Sequence, residues 1–546
     1  MPLVSNLDLI QGTGEATFTR TTQATLVNKE SGLVELAPHN LLLRSEEFDN
    51  ASWFKTESVI VSDDRIAPDG TVSADKLTSD GTGTKLPAIS QTVTVTSGAL
   101  HTLSFFAKSD ESRFLQLTFS GGQVLNTPRA NFDLQLGVLG TVDADMTATI
   151  TAESGYFKIS VTVVALTTTL TINAQLVGSA EAARSTSSLF TIGDGIHIWG
   201  AQIEERSSVG TYVSTEASVA YGPRFEKGGV LLEGASTNLF LRSEEFDNAS
   251  WSKSFTGAGS IPIVTANAGV APDGTMTAER VQFAIGTDIV GDRSFMRQAI
   301  TTAGDYTISM YVKSNTGVAQ EIGIHREGSS LLSVIVPNEW TRITLSDNFT
   351  GSNFAGLELR GTLGTGDLTS DILVWGAQLE ELPFASSYIK TTTTAVTRAA
   401  DNLSVPSAGN FNEVEGSISV IAKLIGDVGT DQNILQIDNS RHALIISSDK
   451  LRTFVSTTGG TQVDYSDAET FTVGQQVDIT YNYKTNNFET FKDRISIGTD
   501  TSGLVPTSLV TITLGKGPVS GTELFGHLKD LRIYKNLLTN PQVKSL

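Results

Sequence analysis

The sequence predicts an all-β chain of tandem antiparallel sandwiches, and three observations predict it. A series of motifs occurs twice in the same order, hydrophobic and polar residues alternate at period two, and Gly (50 residues), Ser and Thr are plentiful while charged residues stay at 18%. At 546 residues the chain is too long for one ordinary core and implies roughly three or four domains. No helical stripe longer than a turn or two and no coiled-coil heptads interrupt the pattern.

Residues 1–37 precede the first repeated motif and form an N-terminal segment. The repeat opens with NLLLRSEEFDNASW (Asn40 to Trp53), which returns with one substitution as NLFLRSEEFDNASW (Asn238 to Trp251). APDGT follows at Ala67 and again at Ala271, a Pro and Gly turn signal at a matching place. HTLSFFAKS (His101 to Ser109) then pairs with YTISMYVKS (Tyr306 to Ser314), where Thr307, Ser309 and Tyr311 alternate with Ile308, Met310 and Val312. That alternation predicts a strand with one buried face. WGAQIEE (Trp199 to Glu205) and WGAQLEE (Trp375 to Glu381) close the unit, followed by Tyr212 and Tyr388.

The offset between copies falls from 198 (Asn40 to Asn238) to 176 (Trp199 to Trp375), so the second copy is 22 residues shorter. Most of the loss falls around Ala130 to Val142, which has no counterpart. A period this long marks a duplicated domain rather than a solenoid. The modules are placed at 38–222 and 238–398, with 223–237 as a connector and 399–546 as a third block of different composition.

The net charge of −21 and the lack of a Lys and Arg cluster exclude a nucleic-acid backbone as partner. Zero Cys excludes disulfides, zinc-thiolate sites and cysteine nucleophiles. No apolar run of about 18 residues exists, so no membrane insertion is expected, and MPLVSNLDLIQG lacks the basic and apolar regions of a secretory signal. The six His residues show no metal spacing and no nucleophile elbow, and no acid pair can be assigned to one cleft, so no catalytic residue is named and no enzyme is expected.

Glu46 and Asp49 recur as Glu244 and Asp247 and are weighed as a divalent-cation site. Solvated loop acids are the favoured alternative, and no cofactor is expected. Trp53, Trp251, Trp199 and Trp375 lie at matching positions in the copies and are assigned to structure. Aromatic rings cover the apolar face of a pyranose, so glycan contacts are sought among residues that differ between copies, Phe54, Tyr156 and Phe157, and in the last block at Tyr465, Tyr481, Tyr483 and Phe488.

The order NLLLRSEEFDNASW, APDGT, ADKLT, then WGAQLEE and SSYIKTTTTAVTRAAD resembles the jelly-roll modules of carbohydrate-binding type found in tail and head fibres of bacteriophages. In such modules a structural Ca²⁺ sits against acids of the last strand, where this chain has Trp-Gly, which argues against calcium. ATFTRTTQATLVNKESGLVELA (Ala16 to Ala37) and YGPRFEKGGVLLEGASTNL (Tyr221 to Leu239) look like halves of one segment that is nearly continuous in similar phage proteins, so module one reads as an insertion. Gly526, Leu528, Asp530, Arg532, Ile533 and Tyr534, with Leu538 and Thr539, resemble the last strand of a concanavalin-like or laminin-G-like sandwich. The resemblance implies three sandwiches in series on a virion-surface fibre, tail-associated in preference to a head fibre or capsid decoration. It further implies attachment to other virion proteins through residues 1–37, a homotrimer, and binding of host-surface glycan. A polysaccharide depolymerase and a bacterial adhesin are the alternatives.

Overall fold

The computed structural model describes residues 16–301, 303–326, 331–349, 353–438 and 441–546. Nearly every element is an antiparallel strand, and one short helix, Asn540–Ser545, follows the last of them. The chain folds as two compact units, and one unit is interrupted by the other: residues 36–222 form the first, and residues 16–35 join 223–546 in the second.

The first unit is a sandwich of two six-stranded sheets. One runs Thr147–Glu153, Tyr156–Val164, Leu100–Ser109, Gly195–Glu204, Val72–Ser79, Ser58–Ile66, and the other Val138–Val142, Arg129–Asp133, Phe114–Phe119, Thr169–Val177, Ala88–Thr94, Phe54–Thr56. Their inner faces enclose one core that includes Phe48, Trp53, Phe105, Leu115, Phe132 and Ile172. The second unit holds the other copy, two five-stranded sheets around Phe246, Trp251, Ile308, Met310, Ile324 and Leu357. The first copy's surplus residues form the edge strand Val138–Val142 and the neighbouring Thr147–Glu153, each at the outer limit of its sheet.

Strand Gly304–Ser314 differs from the expected one-sided burial. Ile308, Met310 and Val312 face the core, but Thr307 and Ser309 are also fully buried. The polar face is covered because Thr307 Oγ1 donates to Leu382 O (2.7 Å) and Arg342 donates to Ser309 Oγ (2.9 Å).

The third sandwich is assembled from three stretches of chain. Its seven-stranded sheets are Thr17–Thr19, Asn402–Pro406, Thr511–Leu514, Gln432–Ile437, His442–Ser447, Lys450–Thr457, Gly460–Ser466, and Arg224–Glu226, Gly229–Leu232, Gly526–Tyr534, Glu415–Leu424, Gln476–Lys484, Asn487–Lys492, Ile495–Asp500. Residues 223–237 are therefore no connector: Val230 to Leu232 pair with Leu528 to Gly526, and Val230 and Leu232 enter the core. Of residues 1–37, residues 1–15 lie outside the described residues, while Ala16 is buried in the same core and Thr17 to Thr19 pair with Ser404 to Asn402. The segments flanking the first unit thus each extend a different sheet of one sandwich.

A buried charge cluster ties these stretches together. Arg20 pairs with Asp401 (2.8 Å), Arg224 with Glu233 (2.5 Å) and with Asp401, and Arg398 lies 3.5 Å from Glu233, all with fully buried side chains. Burial alone would raise the Glu233 carboxyl, but Arg398 and Arg224 hold it well below the usual carboxylate range.

Candidate glycan-binding surface

The repeated tag is a set of backbone locks. Asn40 is fully buried; its amide donates to Ala201 O (2.8 Å) and Val213 O (3.0 Å), and its Oδ1 accepts from Leu42 and Ile203. Asn238 repeats all four bonds with Ala377, Ile389, Phe240 and Leu379. Trp53 and Trp251 are each about 1% exposed and donate Nε1 to Arg44 O and Arg242 O. Trp199 and Trp375 are also buried, their rings tilted against Tyr212 (4.8 Å, 52°) and Tyr388 (4.6 Å, 50°).

The Gly that follows each of these two Trp occupies a β-bulge with φ near +60°, and an added Cβ would lie 3.1 Å from Phe106 or Tyr311. Left-handed backbone and close approach of a ring both require glycine there. An acid could not take that place without strain, which explains the Trp-Gly of the closing strand.

The four acids weighed as cation ligands do not converge. Glu46 accepts from Tyr212 (2.9 Å); Glu244 accepts from Tyr388 (3.0 Å) and pairs with Lys390 (2.8 Å). Burial raises both carboxyls. At Asp49 and Asp247 the main-chain carbonyls are engaged instead: Lys55 Nζ donates to Asp49 O and Asn50 O, and Lys253 Nζ to the carbonyls of Phe246, Asp247 and Asn248. A tethered ammonium thus sits on the loop carbonyls in each copy. Among the described residues, no group of three or more His, Cys, Asp or Glu side chains is placed to hold a metal ion.

Most of the aromatic candidates are packing residues. Tyr481, Tyr483 and Phe488 lie in the core of the third sandwich, where Tyr483 stacks on Phe411 (4.6 Å, 9°) and Tyr481 is hydrogen-bonded to His442 (2.8 Å). Desolvation pushes His442 down to about 3, so it is neutral there. Tyr465 is half-buried with its hydroxyl on Thr490. Tyr156 is buried and donates to Ile66 O, and Phe157 is half-buried against the core. The rings of Tyr156, Tyr481, Tyr483 and Phe488 are covered by neighbouring side chains and present no face to a sugar. Phe54, 70% exposed on an edge strand, keeps a free face.

Sequence reasoning missed a cavity of about 1270 Å³ in the third sandwich. It is lined by Asp438 and Arg441, by the hairpin at Thr457 to Gly459, and by the loop Leu504 to Val510. The loop folds inward because Val505 and Leu509 enter the core and because Asp438 accepts from Val510 N (2.5 Å) and Thr511 N (2.8 Å). Ser407 holds the same stretch through Leu509 O (2.5 Å) and Val510 O (2.8 Å). Hydroxyls of Thr458, Thr507, Ser508, Thr511 and Thr513 line the cavity beside Pro506 and Leu504. The available signal was SGLVPTS (Ser502 to Ser508), a Pro, Gly and Ser stretch between strands.

No protein-family profile matches the chain, and no curated protein matches it in sequence. Similar solved structures include domain 4 of an extracellular GH43 arabinanase from Geobacillus stearothermophilus in complex with arabinotriose (14% identity, 30% of this chain, 81% of that one, TM-score 0.21). They also include the N-terminal CBM22 tandem domain of a Paenibacillus barcinonensis protein (11%, 65% and 99%, TM-score 0.25) and a Trypanosoma rangeli sialidase (8%, 97% and 98%, TM-score 0.23). With sialidases and an arabinanase domain among these structures, the expectation that the chain is not an enzyme is withdrawn. At such scores the likenesses assign no activity in its place.

Proposed function

We propose that this chain is a surface fibre of a bacteriophage virion, tail-associated, whose third sandwich holds host-surface glycan in the cavity bounded by Thr458 and the 504–510 loop. The cavity carries the proposal: it is open, rich in hydroxyls and bordered by a small apolar wall, the mixture that meets sugar hydroxyls and C–H faces together. Its volume exceeds the roughly 300–1,000 Å³ of ordinary small-ligand sites, so more than one sugar ring fits. Weak sites gain avidity through copy number, and a homotrimer is the proposed assembly. A head fibre or capsid decoration would use the same surface.

Glycan-array binding by the full chain and by Thr458→Trp, which sets a bulky indole at the cavity's rim and narrows it, tests this. Binding lost in the variant is the expected result; binding unchanged, or no glycan bound, removes the site. Following the same mixtures for new reducing ends decides separately whether the polysaccharide is cut. Labelling intact particles locates the protein on tail or capsid. Deleting residues 1–15 tests virion attachment without removing strand Thr17–Thr19, which the third sandwich needs.

A further inference from the structure

We infer that the cavity of the third sandwich selects a saccharide carrying a carboxylate, bound by Arg441; this rests on the glycan-binding function proposed above. Of the residues lining the cavity only Arg441 and Asp438 carry charge. Asp438 has both oxygens committed to the main-chain amides of Val510 and Thr511, so it is occupied in holding the loop. The Arg441 side chain, half-buried in the wall, has no ion-pair or hydrogen-bond partner among the described residues.

Its backbone is nonetheless fixed. Arg441 N donates to Ile437 O (2.8 Å), and its carbonyl accepts from Ser456 N (3.0 Å), anchoring the residue between two strands. A positioned guanidinium with a free fork matches a carboxylate in two parallel hydrogen bonds, which a neutral sugar cannot supply. Two other cations of the same sandwich are paired, Arg452 with Asp464 (2.7 Å) and Lys492 with Asp467 (2.6 Å). The chain's net charge of −21 repels polyanions at long range, so capture of an acidic glycan depends on this local cation.

The test is calorimetric titration of the full chain with an oligouronate, an oligosialate and the carboxyl-reduced form of each. The wild-type chain should bind at least one acidic oligomer about tenfold or more tightly than its reduced form. Arg441→Gln should bring the acidic oligomer down to the affinity of the reduced one, Arg441→Lys should recover part of it, and thermal melts should show all variants folded. Equal affinity for acidic and reduced forms, or no loss in Arg441→Gln, overturns the inference while leaving glycan binding intact. Failure of every oligomer to bind, or binding that survives Thr458→Trp, overturns the glycan site and the inference with it.

Discussion

The two copies of the jelly roll agree where a side chain holds backbone and differ where the chain leaves the domain. Asn40 and Asn238 make the same four bonds, Arg44 and Arg242 each pair with the Glu three residues on, and Gly200 and Gly376 occupy the same bulge. The exits diverge. In the first copy Ala220–Tyr221 pairs with His39–Asn40 and the unit closes on itself. In the second, the equivalent pairing of Val396–Arg398 with Ser236–Asn238 runs straight into the buried cluster of Arg398, Asp401, Glu233, Arg224 and Arg20. Duplication copied the domain's internal locks, while the second copy is joined to the third sandwich by charge.

Asp401→Asn breaks that asymmetry most directly. It removes the carboxylate that Arg20 and Arg224 share and leaves Arg224 with Glu233, a loss of about 3–5 kcal/mol. Hydrogen exchange should rise in Arg224–Glu226, Gly229–Leu232 and Asn402–Pro406 and stay unchanged in strands of residues 36–222; an equal rise in both units would contradict the comparison.

Asn40→Ala and Asn238→Ala test the shared lock. Each strands two carbonyls and two amides in a dry interior and should cost roughly 3 kcal/mol in its own copy, read as a fall in chemical-denaturation midpoint. Unequal costs would show that the copies use the lock differently.

Lys55→Met and Lys253→Met should cost less, on the order of 1 kcal/mol. Lys253 bridges three carbonyls and Lys55 two, so the larger loss is expected in the second copy.

A pH dependence also separates the copies. Asp75 and Glu279 sit at matching places beside the tag, accepting amides of Phe48 and Asp247. Burial, with a neighbouring aspartate added, raises Asp75 from 3.8 to about 6 and Glu279 from 4.5 to about 7. Each folded carboxyl thus holds its proton more tightly than the unfolded one. The contribution to stability is complete below the ordinary value and is lost as pH rises through the folded value. Protection of Val72–Ser79 should therefore fall between about pH 4 and 6, and that of Ala278–Ala284 between about 4.5 and 7. Glu279→Gln should flatten only the second profile.

The duplication was legible because tag and closing motif carry the side chains that make the locks, and those must keep both identity and order. The insertion was legible for a similar reason: the two flanks, around Ala16 and Tyr221, look like one interrupted segment. Burial of individual rings was not legible. Tyr481, Tyr483 and Phe488 alternate along strands as exposed aromatics could, and their inward face is fixed only by the facing sheet and by Phe411, which arrive from separate stretches of chain. Nor could the cavity be read, since Arg441, Thr458 and Thr513 come from separate stretches of chain.

By itself the sequence determined an all-β chain with one domain present twice, because period-two patterning and repeated order are local properties. Only the tertiary structure decided that residues 16–35 and 223–232 complete the two sheets of one sandwich, and that three arginines share a dry interior with Glu233 and Asp401. Strand pairing between distant segments depends on which edges remain open once nearer partners have paired. That is a property of the whole fold, which no stretch of sequence holds alone.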